Sequence, residues 1–210
     1  MGIHYLKEIN STQTYLKDYI KNNGYSNAYL VYTNNQTDGI GSRNNKWIGV
    51  KGNLFFSYVI DIKQLPSDLP IQSASIYFSF IFKEILKKYG SDIWLKWPND
   101  FYIENKKIGG TITNMANNLL FCGIGLNLKY VQKDFGFLDI KFQDIFLNEF
   151  FDSILEKKTW KQIFSKFLIE FEKSKNMKTT IDNNKILLDR AKLNLDGSIL
   201  INSKKVYSLR

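Results

Sequence analysis

Apolar and polar positions along this chain switch between two periods, and the switches mark its elements. Ser11 is a candidate N-cap for a helix over residues 12–22, with Tyr15, Leu16, Tyr19 and Ile20 on one face. Apolar runs at 28–32 and 54–62 predict strands. Residues 71–88 make the strongest helical segment, because Ile76, Phe80, Ile81 and Ile85 recur at helical spacing. Four strands follow, near 93–97, 100–104, 107–115 and 119–128. Two helices near 144–156 and 159–174 carry Ile145, Phe151, Ile154, Leu155, Ile163, Phe164, Phe167 and Phe171, an aromatic stripe read as core. Hairpin links between the strands predict an α+β fold with a mixed, largely antiparallel central sheet flanked by helices.

Between residues 173 and 184 the chain turns polar, and a boundary is placed there. The expected division is a main domain over 1–178 and a small β module over 183–210, with strands near 185–188, 192–195, 199–201 and 205–209 and a turn at Asp196-Gly197. So small a module cannot stand alone and is expected to dock on the main domain.

Two polar, glycine-bearing segments interrupt the apolar pattern. The first reads Leu95-Lys-Trp-Pro-Asn-Asp-Phe-Tyr-Ile-Glu-Asn-Lys-Lys-Ile-Gly-Gly110. Pro98 lacks a donor and fixes φ, so a regular ladder is expected to stop there. Asn99 and Asp100 then sit at a strand end, and Glu104-Asn105-Lys106 turns the chain back toward Lys107 and a glycine floor that lets a backbone or ligand approach. The bland alternative is a plain hairpin with solvated charges. The second segment, Gln36-Thr-Asp-Gly-Ile-Gly-Ser-Arg-Asn-Asn-Lys-Trp-Ile-Gly49, is too long for a tight hairpin, and long ordered loops usually serve function. Gly39 and Gly41 can aim backbone N–H groups at an anion, with Arg43 and Lys46 adding charge. Its bland alternative is a mobile surface loop.

With Asn10-Ser-Thr-Gln-Thr14 and Cys122-Gly-Ile-Gly-Leu-Asn127, these segments resemble the biotin–protein ligase family in order and approximate spacing, over roughly the first two thirds of the chain. Lys96-Trp-Pro-Asn-Asp100 followed by Lys107-Ile-Gly-Gly110 is the most specific part. The resemblance implies a class II aminoacyl-tRNA synthetase/biotin ligase-like fold ending in a small SH3-like β domain, here shortened. It also implies ATP-dependent activation of biotin as biotinyl-5′-adenylate, then transfer to a lysine of an acidic acceptor, the biotin carboxyl carrier protein of acetyl-CoA carboxylase.

The same resemblance assigns the site. Lys107 is expected to bridge the biotin carboxylate and the α-phosphate, with Arg43 as a second catalytic cation. Ser11, Thr12, Gln13 and Gln36 match the places that hold the ureido ring, and Gly39, Ile40, Gly41 and Ser42 the loop that closes over biotin. Lys46, Trp47, Asn99, Asp100 and Asn127 join Arg43 on the ATP side, with Trp47 stacking on adenine. Asp100 has two open roles, holding a Mg2+-bound water or orienting Lys107. Mg2+ is expected to arrive with ATP. The sequence departs from the family loop: Ile40 and Ser42 stand where arginines are common, leaving Arg43 or Lys46 as deputy.

Composition adds limits. The charge of +9 could mark a nucleic-acid binder, yet only three arginines occur (Arg43, Arg190, Arg210) and no helix-turn-helix precedes Ile3. The expectation is no nucleic acid and no repressor role, the charge suiting ATP and an acidic acceptor. No apolar run reaches membrane length and no signal peptide opens the chain. Cys122 is the single cysteine, so no internal disulfide forms and a cytoplasmic home is expected. His4 has no sequence partner for a metal. A monomer or homodimer is left open. Two rival readings stand: a lipoate–protein ligase, whose histidine-bearing loop motif is missing, and a basic nucleic-acid module.

Overall fold

The computed structural model describes residues 2–41, 46–47 and 49–207, with backbone only for Lys46. The chain runs β1 (Gly2–Leu6), α1 (Thr12–Asn23), β2 (Tyr29–Thr33), β3 (Gly39–Ile40), β4 (Lys46–Trp47), β5 (Leu54–Asp61), α2 (Ala74–Lys88), β6 (Trp94–Lys96), β7 (Asp100–Ile103), β8 (Lys106–Ala116) and β9 (Leu119–Leu126). It continues with α3 (Ile145–Leu155), α4 (Trp160–Ser174), β10 (Lys178–Ile181), β11 (Asn184–Leu187), β12 (Lys192–Leu193), β13 (Ile199–Ile201) and β14 (Lys204–Val206).

Seven strands form one sheet in the order β1-β2-β5-β9-β8-β7-β6. Only β1 pairs in parallel, with β2; the remaining ladders are antiparallel, so the sheet is mixed and largely antiparallel as expected. The sequence pattern misses β1 because its middle residues are exposed on both faces and so show no alternation. The β8–β9 link turns through Asn117 and Asn118, both at positive φ, which asparagine tolerates and a two-residue hairpin requires. Pro98 ends β6 as expected: its peptide bond to Trp97 is cis, and pairing resumes at Asp100.

Period-2 alternation gives the sheet two different faces. Phe56, Tyr58 and Ile60 of β5 and Leu120, Cys122 and Ile124 of β9 belong to the main core beneath α2, α3 and α4. Phe150 of α3 meets Phe56, Tyr58 and Phe82 edge-on at centroid distances of 5.4, 5.5 and 5.5 Å. Such pairs add about 0.5–1.5 kcal/mol each beyond area burial. The other face carries Val31, Val59, Leu119 and Phe121, covered by Leu16 of α1. That helix stops short of β8, so the rest of the face stays open.

The outer edge of β6 is closed by side chains of α4. The Leu95 N–H donates to Glu170 Oε1 at 3.0 Å and the Trp97 N–H to Ser174 Oγ at 3.0 Å. Lys83 of α2, itself buried, holds the other oxygen of Glu170 at 2.7 Å.

The polar stretch marked as a boundary contains β10, whose Lys-Thr-Thr-Ile pairs with β11 as a hairpin. β12, β13 and β14 form a separate three-stranded sheet. Its turn seats against the end of β6 and the starts of α4 and α2: the Trp97 indole N–H donates to Gly197 O at 2.9 Å, the Trp160 indole N–H to Leu195 O at 2.8 Å, and Ser73 Oγ to Asp196 O at 2.5 Å. Gly197 has φ +77°, and any Cβ there would collide with the Ser73 side chain, so glycine is required by backbone and by space.

Candidate functional site

The open part of the sheet face is floored by glycines. Gly123 and Gly125 of β9 point the same way as Ile112 and Gly110 of β8, their cross-strand partners. A Cβ on Gly123 would lie 2.7 Å from Gln13 Nε2, and one on Gly125 would lie 2.7 Å from Trp47 Cε2. The missing side chains are what let an amide and an indole lie against the strand. Gly109 serves a different need, since its Cβ would meet Gly125 O at 2.5 Å.

Over this floor lies a cavity of about 330 Å³, counting the space at its mouth. One end is built by the start of α1. Ser11 caps the helix, accepting from Thr14 N at 3.3 Å, while Thr12 is fixed by three contacts. Its backbone N–H donates to Gln36 Oε1 at 2.9 Å, its hydroxyl reaches the same oxygen at 3.2 Å, and its hydroxyl meets Ser57 Oγ at 2.8 Å. Gln13 is different. It is 5% exposed, and neither end of its amide has a hydrogen-bond partner among the described residues. An unpaired buried amide costs about 1–3 kcal/mol, which a ligand with matching groups would recover.

Trp47 bounds the other end, and its indole N–H is likewise buried without a partner among the described residues. β3 and β4 pair Gly39 with Trp47 and Ile40 with Lys46, so the long polar segment contains a short ladder rather than a featureless loop. Above the indole sits the Lys107 ammonium, 5.8 Å from the ring centroid. It is held by Asp100 Oδ1 at 2.5 Å, and Asp100 Oδ2 faces Lys96 at 3.6 Å. Asp100 thereby has a lysine for each oxygen. Tyr102 beside it has its hydroxyl pushed up, first by burial and then by the negative charge of Asp100, so it stays protonated.

The structure gathers Ser11, Thr12, Gln13, Gln36, Ile40 and Trp47 around the cavity, with Lys107 and Asp100 beside Trp47. Gly39 lies below Gln36, where its Cβ would meet Nε2 at 2.6 Å. Gly41 ends the described part of the loop. Ser42, Arg43 and the Lys46 side chain lie outside the described residues. The Asn99 amide donates to Thr111 O, its backbone carbonyl accepts from Thr111 N at 3.0 Å, and Ser79 of α2 holds the Thr111 hydroxyl at 2.7 Å. The Asn127 amide is held by protein partners: Nδ2 donates to Gly136 O at 3.1 Å and Oδ1 accepts from Asn53 at 3.2 Å. Sequence reasoning gave no role to Ser57, Gly123 or Gly125. Glycines two apart in an apolar strand were the available signal; Ser57 in an apolar strand gave only a weak one.

The mixed sheet beneath this glycine-floored cavity has a biotin ligase-like, class II synthetase-like architecture. The chain belongs to the biotin/lipoate A/B protein ligase family, whose model matches residues 5–127. It is 29% identical to the bifunctional ligase/repressor BirA of Escherichia coli over 130 residues, 59% of this chain and 39% of that protein. Biotin–protein ligase 2 of Arabidopsis thaliana is 31% identical over 101 residues, 44% of this chain and 31% of that one. The chain thus spans about two fifths of the length of the first of these relatives and less of the second. Among solved structures, the biotin acetyl coenzyme A carboxylase synthetase of Helicobacter pylori with bound biotinylated ATP superposes at TM-score 0.92 with 38% identity, covering 99% of this chain and 100% of that one. The biotin protein ligase of Aquifex aeolicus in complex with biotin and ATP, at TM-score 0.72 and 22% identity, covers 100% and 96% and shares the fold. No described helix is long and apolar enough to cross a membrane.

Proposed function

We propose that this chain joins biotin to a lysine of an acceptor protein in two steps. In the first, a biotin carboxylate oxygen attacks the α-phosphorus of ATP, the bond to the β-phosphate bridge breaks, and pyrophosphate leaves. In the second, the acceptor amine attacks the acyl carbon, AMP departs with the former carboxylate oxygen, and the amine loses a proton as the amide forms. The first step brings two anions together, so it needs a fixed cation where they meet.

One observation carries this reading: an ammonium group, aimed by Asp100, stands over an indole at the end of a cavity whose far end holds an unsatisfied amide. Gln13 offers a donor and an acceptor together, which a ureido ring needs, and Thr12 is already oriented by Gln36 and Ser57. Trp47 supplies a flat face for adenine. The contact at 2.5 Å favours orientation of Lys107 as the role of Asp100. Arg43 or Lys46 stands in for the arginine expected at Ser42, and Gly39 to Ser42 close over biotin. Mg2+ would arrive bound to the triphosphate and offset part of its charge. The acceptor is an acidic carrier domain, the biotin carboxyl carrier protein. Residues 1–178 hold the chemistry and 183–210 brace it through the Asp196-Gly197 turn.

The test is pyrophosphate release and label transfer to a carrier domain, with biotin or lipoate supplied. Biotin, not lipoate, is expected to drive both, and Lys107→Ala to slow adenylation about 10²–10³-fold, the loss of one donor at a developing charge. Release with lipoate alone, or none with biotin, would overturn the reading.

A further inference from the structure

We infer that Asn53, which no motif of the site includes, is a positioning residue that sets Lys107 against Trp47; the assignment rests on the ligase reading above. Asn53 is 0% exposed and lies in the turn between β4 and β5, six residues after Trp47. Its Oδ1 accepts from the backbone N–H of Leu128 at 3.0 Å and of Lys129 at 3.1 Å. Two donors on one oxygen leave no freedom in the amide: the nitrogen must face Asn127, and it donates to Oδ1 there at 3.2 Å. That in turn fixes the Asn127 amide, whose nitrogen must face Gly136 O. Gly136 N donates to Lys107 O at 3.0 Å, and the Asn127 backbone N–H donates to Ile108 O at 2.7 Å.

An ordered path of hydrogen bonds therefore runs from the turn before β5 to the backbone that carries the ammonium. Its direction is forced at every step by which atoms can donate. Asn53 is anchored at its other end as well, since its own N–H donates to Val50 O at 3.0 Å and its carbonyl accepts from Asn34 Nδ2 at 3.4 Å. Removing the side chain leaves Leu128 N, Lys129 N and Asn127 Oδ1 without these partners. The Asn127 amide is then free to turn, and with it goes the registry of residues 135–136 on Lys107. Gly136 has little room to adjust elsewhere, because it lies against Lys106 and Ile108 closely enough that a Cβ would meet them at 3.0 and 2.9 Å.

Asn53→Ala and Asn53→Asp in the full chain test this, with the wild type as control. The aspartate variant would keep the acceptor for Leu128 and Lys129 but lose the donor to Asn127. Both variants are expected to release pyrophosphate about 10- to 100-fold more slowly at saturating biotin and ATP, the penalty for misplacing a reacting group by about 1 Å. Biotin affinity measured without ATP should change less than about twofold, because Ser11, Thr12 and Gln13 are not on the path. Asn127→Asp should give the same split. A rate equal to wild type would overturn the inference and leave the ligase reading intact. So would a loss that appears equally in biotin affinity or that follows the melting temperature, since either marks a merely structural role. A wild type that releases no pyrophosphate with biotin would sink the ligase reading and this assignment with it.

Discussion

Alanine at Gly123 and at Gly125 should damage the two ends of the cavity separately. The glycines lie two apart on one strand face, roughly 6.6 Å from each other along β9. At Gly125 the new Cβ would sit 2.7 Å from Trp47 Cε2 and 2.8 Å from Cζ2, about 0.7 Å inside ordinary contact. An indole cannot fold away from such a contact, so the whole ring must retreat by most of an ångström, taking β4 with it. Displacement on that scale costs up to about 100-fold in rate, so adenylation should fall about 10- to 100-fold with a raised KM for ATP. At Gly123 the clash is with the end of a flexible side chain, Gln13 Nε2 at 2.7 Å. Pushing that amide off its preferred rotamer costs about 0.5–1.5 kcal/mol, or roughly 2- to 12-fold in biotin affinity. The assay is pyrophosphate release with each substrate varied in turn, beside calorimetric biotin binding. Runs should be made well below the melting temperature, because overpacking alone costs about 1–3 kcal/mol. If both variants raise the same KM, or if Gly125→Ala leaves ATP kinetics untouched, the placement of the two substrates along β9 is wrong.

Two further expectations concern the scaffold. Burial pushes the Asp196 carboxyl up, but hydrogen bonds from Lys205 and Ser198 outweigh it and hold the group below its ordinary 3.8. A depressed folded value means stability that is present above pH 3.8 and lost as pH falls through the lower folded value. Thermal melts of wild type and Asp196→Asn should therefore differ at pH 7 and converge below about pH 3.8, the ordinary value; a gap that stays constant down to pH 3 refutes the account. Burial pushes the Cys122 thiol well up, against a smaller opposing hydrogen bond with Tyr58. Thiol reagents should label it only as fast as the protein unfolds, and rapid labelling at pH 8 without denaturant would show that β9 is open there.

Long-period features were legible from sequence and short-range geometry was not. α2 could be read because Ile76, Phe80, Ile81 and Ile85 recur at helical spacing, and its burial nearly all round, twelve of fifteen residues, matches its long apolar run. β1 and β10 escaped because one is exposed on both faces and the other is a short, mostly polar run. The Lys-Trp-Pro-Asn-Asp and Lys-Ile-Gly-Gly runs could be joined to one site from sequence, since a hairpin brings them together. That Ser57, from a strand 45 residues away, would fix the Thr12 hydroxyl could not be seen, because it depends on how β5 registers against α1. Nor does spacing reveal that the Asn127 amide is engaged by Asn53 and Gly136, which lie far apart in the chain.

The side chains along α4 that occupy the outward N–H groups of Leu95 and Trp97 do more than fasten a helix. A strand bordering solvent normally invites a foreign chain to add itself. Here the invitation is already taken up from within at those two groups, so a foreign strand finds a poorer template on that rim.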